Sequence, residues 1–323
     1  KASSNCGGCV IPLPLVVSGR QIQRPRVSVS NPAYPMDRLP SSPILAHGGN
    51  LSAAAAVFGV PTEGWLDLST GINPTPYPDL SVSQTAFAAL PLAAAQAGLL
   101  TAARRAYALP HTASLCAAPG TQALIQILPT LHPATSVAIV SPTYGEHAHV
   151  WRKAGHSAIE IAALEDAQDA RIVIVTNPNN PDGRWFAPSI LRSLYRKLAA
   201  DNGLLIVDEA FADVQPKCSL APDTGQPGLI VLRSFGKFFG LAGLRLGFAA
   251  GPADWIDAIE TQLGPWAVSG PAIEIGTRAL DDAAWTGETR TTLAGLRQRL
   301  ETVLGKAGLA IIGSTDLFVL AEH

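Results

Sequence analysis

Lys237 stands in the string Ser234-Phe-Gly-Lys237-Phe-Phe-Gly-Leu-Ala-Gly-Leu-Arg245-Leu-Gly247, wedged between Phe235 and Phe238–Phe239 and close behind the apolar run Leu229–Leu232. Burying an ammonium among aromatic rings is costly. A lysine that exists as an imine, or as an amine of depressed pKa, avoids that cost and becomes a nucleophile. Glycines at 236, 240 and 243 let the backbone approach a ligand closely. Arg245 can clamp a phosphate and Ser234 can add a hydroxyl donor. The plainer alternative is a solvated loop lysine beside a structural arginine. Three further clusters each close an apolar run. Asn177-Pro-Asn-Asn180-Pro181-Asp-Gly183 follows Ile172–Thr176, Asp208-Glu209-Ala210-Phe211 follows Leu204–Val207, and Ser-Pro-Thr-Tyr144-Gly-Glu-His follows Ser136–Val140. Taken singly, these read as a turn, a helix cap and an exposed loop tyrosine. Upstream, Pro119-Gly120-Thr121-Gln122 opens a helix, whose first N–H groups make an anion site.

These residues need a frame. The runs Ser136–Val140, Ile172–Thr176, Leu204–Val207, Leu229–Leu232 and Leu246–Ala250 are short and rich in Val, Ile and Leu, as strands buried on both faces are. Helix-length stretches lie between or beside them, at Thr121–Leu131, Glu146–Ala154 and Pro188–Asp201. Strands alternating with helices predict an α/β fold with a doubly wound, mainly parallel sheet. Ligands of such sheets bind beyond the carboxyl ends of the strands, where the clusters above fall. After Ala253 the chain turns helical, at Ala253–Gln262, Ile273–Asp282 and Glu288–Leu304, and a strand Asp316–Ala321 closes it. The expected division is a tail at 1–35, an N-terminal segment at 36–78 serving the small domain and active site, a large domain at 79–262, and a small domain at 263–323.

Composition narrows the function classes. Among 323 residues, 47% are hydrophobic and 15% charged, enough for a large core. A formal charge of −2 offers no basic field for nucleic acid. No apolar run reaches the ~18 residues of a membrane span. Cys6-Gly-Gly-Cys9 has redox or metal-pair spacing but no second pair, so no metal is expected, and a reducing, cytoplasmic setting fits. Residues 1–35 carry no lasting period and precede Met36, the single methionine, which reads as the physiological start.

Ser-x-x-Lys with Arg eight residues beyond the lysine, and glycines between, resembles the attachment motif of the class I/II pyridoxal-phosphate aminotransferases. The resemblance implies the type I fold of pyridoxal-phosphate enzymes, a smaller α/β domain, pyridoxal 5′-phosphate as cofactor, and a homodimer. It makes Lys237 the Schiff-base lysine and gives Asp208 to the pyridine nitrogen, where a carboxylate keeps the ring protonated and electron-withdrawing. It assigns Asn180 to the phenolic oxygen and Tyr144 to the pyridine face. The cofactor phosphate falls to Gly120, Thr121, Gln122, Ser234 and Arg245. Two departures stand out: Phe211 occupies a place where relatives commonly carry a tyrosine, and Leu90-Pro91 replaces a tyrosine that relatives send to the partner's phosphate.

His47-Gly48-Gly49-Asn50-Leu51, with Asp67-Leu-Ser-Thr-Gly71-Ile72-Asn73-Pro74, further resembles the threonine-phosphate decarboxylase branch of that family, over roughly residues 44–321. That branch, in cobalamin biosynthesis, decarboxylates L-threonine O-3-phosphate to (R)-1-aminopropan-2-ol O-phosphate. The implied substrate contacts are His47, Gly49, Asn50 and Asn73, whose donors suit a phosphate. The alternatives are an aminotransferase acting on a phosphorylated substrate, akin to histidinol-phosphate aminotransferase, and a truncated, non-catalytic fragment. The last arises because the arginine that grips the substrate carboxylate in relatives is expected beyond His323.

Overall fold

The computed structural model describes residues 9–12, 48–167 and 170–323. Its strands are β1 (Cys9–Pro12), β2 (Ser114–Ala118), β3 (Ser136–Val140), β4 (Ser157–Ile161), β5 (Ile172–Thr176), β6 (Leu204–Asp208), β7 (Leu229–Ser234), β8 (Gly247–Gly251), β9 (Ala310–Thr315) and β10 (Phe318–Glu322). Seven form one sheet in the order β2-β8-β7-β6-β5-β3-β4. Pairing is parallel from β4 through β3, β5 and β6 to β7, and antiparallel where β8 meets β7 and β2. The mainly parallel sheet is as expected.

The central strands are fully buried because each feeds two cores by alternation. Val173 and Val175 of β5, Leu205 and Val207 of β6, and Leu229 and Val231 of β7 enter one apolar cluster. Their neighbours Ile172 and Ile174, Leu204 and Ile206, Ile230 and Leu232 enter the other.

The helices are α1 (Leu51–Phe58), α2 (Gln84–Ala88), α3 (Ala93–Ala106), α4 (Thr121–Ile127), α5 (Glu146–Lys153), α6 (Pro188–Ala200), α7 (Phe235–Phe238), α8 (Ala253–Leu263), α9 (Gly270–Asp281) and α10 (Ala283–Lys306). Three differ from the sequence expectation for local reasons. Helix α4 stops at Ile127 and tightens into a 3₁₀ turn, Leu128–Leu131, which contains Pro129. Helix α9 starts three residues early on Ser269, whose hydroxyl caps Ala272 N–H. Helix α10 starts five residues early, where Asp282 Oδ1 accepts from Trp285 N–H at 2.9 Å.

The hairpin β9–β10 places Phe318 against Phe211, just past β6, ring centroids 5.0 Å apart and edge to face. Within the segment expected to be a tail, the backbone of β1 pairs antiparallel with β10. His47 and Cys6 lie outside the described residues. Cys116 and Cys218 are fully buried, and burial pushes both thiols up to about 12, as small core residues. Among the described residues no helix is long and apolar enough to cross a membrane, and no cluster of three potential metal ligands occurs.

Candidate active site

The carboxyl ends of β5, β6 and β7 lie side by side, with Thr176 in register with Asp208 and Asp208 with Leu232. From these three adjacent ends hang Asn180, Asp208 and, one helical turn past Ser234, Lys237. They line a cleft of about 540 Å³ together with Gly120, Thr121, Gln122, Tyr144, Ser234 and Arg245. Every cofactor contact expected from sequence is therefore brought to one place.

Lys237 sits in α7, a single turn whose neighbours Phe235 and Phe238 are wholly buried. Its Nζ lies 5.6 Å from the centre of the Phe211 ring. Burial lowers the Lys237 pKa below 10.5; Arg245 pushes the same way, and Asp208 opposes. Asp208 is 4% exposed, and its carboxylate is held at both oxygens. Oδ1 accepts from Ala210 N–H at 3.0 Å, and Oδ2 is 3.0 Å from Nε2 of the buried His147. A carboxylate only accepts, so the imidazole carries its proton on Nε2.

The anion end is built by close approach. Gly120, at φ +84°, lies under the Arg245 guanidinium; a Cβ there would fall 2.5 Å from Nη2. Any side chain at 120 would therefore drive the arginine off the start of α4. Arg245 itself adopts a left-handed backbone, and its Nη1 donates to Ala242 O at 3.1 Å. Tyr144 is 39% exposed on the other wall, and its hydroxyl donates to Gln122 Oε1 at 3.1 Å.

The expected substrate contacts are placed differently. Asn73 does not reach the cleft; it is 2% exposed and clamps the lysine loop. Its Nδ2 donates to Phe238 O at 2.9 Å, its N–H to Lys237 O at 2.9 Å, and its Oδ1 accepts from Thr75 N–H at 2.9 Å. Gly240, at φ +68°, makes this clamp possible, since a Cβ would meet Asn73 O at 2.7 Å. The side-chain bonds of Asn73 thus go to backbone, and it is not among the residues that line the cleft, where it was expected as a substrate contact. Asn50 caps α1 through a 3.0 Å bond from Ala53 N–H, and Gly49 N–H donates to Ser69 Oγ at 2.7 Å. Gly48 lines the cleft in their stead, with Ser69, Thr70 and Gly71.

Two groups of residues escaped the sequence. His147 is one, although the Tyr-Gly-Glu-His string contained it. The other is a buried charge cluster beneath the strand ends. Arg233 Nη1 meets Glu209 Oε2 at 2.8 Å, and Nη2 meets Asp213 Oδ1 at 2.5 Å. Burial works against the guanidinium charge, but Asp213 and Glu209 outweigh it and raise the Arg233 pKa. Losing one partner of such a cluster strands a buried charge, at a cost of about 3–5 kcal/mol. The cluster ties β6, β7 and the turn after Phe211 into one rigid support. An arginine ending an otherwise apolar run was the available signal.

Fold and site together define a class: the chain belongs to the aminotransferase class I and II family, whose sequence model matches residues 85–323. Among its curated relatives, a threonine-phosphate decarboxylase of a Sinorhizobium species is 47% identical over 290 residues, covering 88% of this chain and 85% of that one. A threonine-phosphate decarboxylase of Pseudomonas aeruginosa is 44% identical over 280 residues, covering 85% and 82%. The crystal structure of a histidinol-phosphate aminotransferase from Clostridium acetobutylicum superposes with a TM-score of 0.67 over 78% of this chain and 81% of that one. At 21% identity that likeness is one of fold.

The chain is a pyridoxal-phosphate enzyme of this family, and its residues fit that cofactor. A partly buried amine faces the cleft, a buried carboxylate stands on the neighbouring strand, and the bare Cα of Gly120 leaves room for an arginine over a helix start.

Proposed function

We propose that this enzyme decarboxylates L-threonine O-3-phosphate to (R)-1-aminopropan-2-ol O-phosphate, a reaction that serves cobalamin biosynthesis. The observation that carries this reading is identity of 44–47% to two threonine-phosphate decarboxylases across more than four-fifths of every chain compared. In this reading Lys237 would hold the cofactor through Nζ, and its depressed pKa supplies the free amine that covalent attachment requires. Asp208 holds a proton at the pyridine nitrogen. Asn180 donates to the phenolic oxygen without help from position 211, where phenylalanine has no hydroxyl. Gly120, Thr121, Ser234 and Arg245 hold the phosphate, and Tyr144 covers one face of the ring. When bound, the cofactor supplies an electron sink for the pair left by the bond broken at the substrate's Cα. The Cα–carboxylate bond would break, carbon dioxide would leave, and Lys237 Nζ, having taken a proton from the substrate's ammonium group, would deliver it to Cα in the carboxylate's place. Gly48 and the backbone stretch Ser69–Gly71 form the substrate end of the cleft in this reading.

Supplied with threonine phosphate alone, the enzyme is expected to release carbon dioxide and aminopropanol phosphate in equal amounts. Product analysis with and without 2-oxoglutarate checks this. Glutamate formed stoichiometrically from 2-oxoglutarate, with no carbon dioxide, would assign an aminotransferase instead.

The working unit in this proposal is a homodimer. Phe87, Leu90 and Leu92 are 62–74% exposed at the α2–α3 junction, a cluster of apolar side chains that a second copy of the chain would cover. Light scattering of the cofactor-loaded protein should give twice the chain mass; a monomer at micromolar concentration would remove the dimer from the proposal.

A further inference from the structure

Two hydroxyl-bearing residues, Thr143 and Thr176, line the cleft without a part in the chemistry above. Thr176 ends β5 and is 4% exposed, and Thr143 lies in the loop after β3. Their Oγ1 atoms are 2.8 Å apart, within hydrogen-bond distance. Each hydroxyl has one proton to give and two lone pairs to accept with. A single bond between them uses one of the two protons, so the other must be directed elsewhere. A donor at this depth costs free energy unless it meets an acceptor, and the cleft is where the cofactor's acceptors would lie.

Alternation along the strands says where Thr176 stands. Ile172 and Ile174 of β5 enter the same core cluster as Leu204 and Ile206 of β6. Thr176 and Asp208 come next on that face, and they are register partners on adjacent parallel strands. Asn180 follows in the loop after β5 and lines the same cleft. In a pyridoxal ring the nitrogen and the oxygen-bearing carbon are separated by one carbon, so the edge that joins them is short. With Asp208 at the nitrogen and Asn180 at the oxygen, that edge runs from β6 to the loop after β5, past Thr176. The strand order β6-β5-β3 puts Thr143 one strand further from Asp208. Phe211, from the turn after β6, brings no hydroxyl to this edge.

We propose that Thr176 is a further cofactor-binding residue: its hydroxyl, oriented by the bond from Thr143, donates to the ring oxygen that Asn180 also serves. This rests on the reading that Asp208 and Asn180 hold the ring's nitrogen and oxygen. Thr143 gives its proton to Thr176 Oγ1, which leaves the Thr176 proton for the cleft. The second donor on the ring oxygen then comes from β5 rather than from position 211.

The test titrates the cofactor-free full chain with pyridoxal 5′-phosphate and with its 3-deoxy analogue, which lacks the ring oxygen. Thr176→Val should weaken pyridoxal-phosphate binding about tenfold, the scale of one hydrogen bond to a charged group. Thr176→Ser keeps the hydroxyl and should bind as wild type does. The double variant Thr143→Val with Thr176→Val leaves no hydroxyl of the pair behind, and it should bind as weakly as Thr176→Val. A hydroxyl pair that only tied the loop after β3 to β5 would behave otherwise, because replacing both partners by apolar groups of the same shape is nearly neutral. Wild-type affinity in the double variant therefore overturns the proposal. The 3-deoxy analogue should bind wild type and Thr176→Val alike. An equal loss with both ligands also overturns the proposal, since the hydroxyl's bond would then not be to the ring oxygen. Thr176→Ala only removes atoms and repeats the arm should Thr176→Val not fold. A wild-type chain that takes up pyridoxal phosphate while Thr176→Val matches it fails this inference alone. A wild-type chain that takes up none fails the underlying reading with it.

Discussion

Lys237→Ala is expected to retain the fold, to lose covalent capture of pyridoxal phosphate, and to turn over at least about 10³-fold more slowly, the scale of losing a proton-transferring group. The assignment to this lysine follows from burial. Lys153, Lys197, Lys217 and Lys306, the other lysines among the described residues, are all exposed. Lys237 alone among them has its amine inside the cleft, against Phe211 and between two buried phenylalanines. Borohydride reduction of the cofactor-loaded enzyme, followed by peptide mapping, should place the label on Lys237; a label on Lys217 or Lys153 would sink the assignment. The pH dependence has a definite sign. Burial, aided by Arg245 and opposed by Asp208, lowers the native pKa below the 10.5 of a free lysine. Capture of the cofactor should therefore reach half its maximal rate below pH 10.5. The same shift makes the unfolded chain hold more protons between the native value and 10.5. The cofactor-free enzyme should thus gain stability as pH rises through that window, and lose it as pH falls through the native value. Lys237→Ala should abolish this gain.

Much of this site was legible because the sheet signals itself. Strands apolar on both faces, such as Ile172–Thr176, cannot be mistaken for amphipathic helix, and the polar cluster after each is then at a carboxyl edge by construction. What escaped lacked such a pattern. Strand β4 is an edge strand with Ile159 and Glu160 exposed, so only one end of it is apolar enough to notice. Strand β2 is built of Ser-Leu-Cys-Ala-Ala, small residues that fit beneath α3 and α8 but carry little strand signal. Strand β9 exposes Ile311 and Ile312 and hides nothing until Thr315. Among site residues, the losses are those whose partner is far along the chain. Asn73 meets Phe238 across 165 positions, and His147 meets Asp208 across 61. An asparagine amide suits a substrate phosphate and a backbone clamp equally well, and only the fold decides between them. Phe211 shows the reverse. Its difference from the common tyrosine was plain in the sequence, but the structure adds the packing consequence: its ring neighbours both Lys237 Nζ and Phe318 and sits 3.1 Å from where a Cβ on Gly71 would be.

Asp208→Asn should keep cofactor and lose reaction. The substitution is nearly isosteric, so the bond from Ala210 N–H to Oδ1 survives, and Lys237, Gly120 and Arg245, the proposed holders of the cofactor's two ends, still line the cleft. In the proposed role, what disappears is the negative charge that would keep a proton on the pyridine nitrogen, and with it the electron sink. A fall of about 10³-fold in kcat corresponds to roughly 4 kcal/mol of barrier, at 1.36 kcal/mol per factor of ten. His147→Leu separates charge from orientation. That change removes the 3.0 Å bond to Oδ2 but keeps the carboxylate on its strand end, with Ala210 N–H still on Oδ1. Its cost should be nearer tenfold, the scale of one hydrogen bond to a charged group. The two variants, measured for carbon dioxide release from threonine phosphate and for visible absorbance of the bound cofactor, therefore have a required order. An Asp208→Asn enzyme turning over within about threefold of wild type would remove the carboxylate from the pyridine nitrogen. A His147→Leu enzyme as impaired as Asp208→Asn would mean that the buried carboxylate cannot hold its charge without the imidazole, and the pair would then have to be treated as one group.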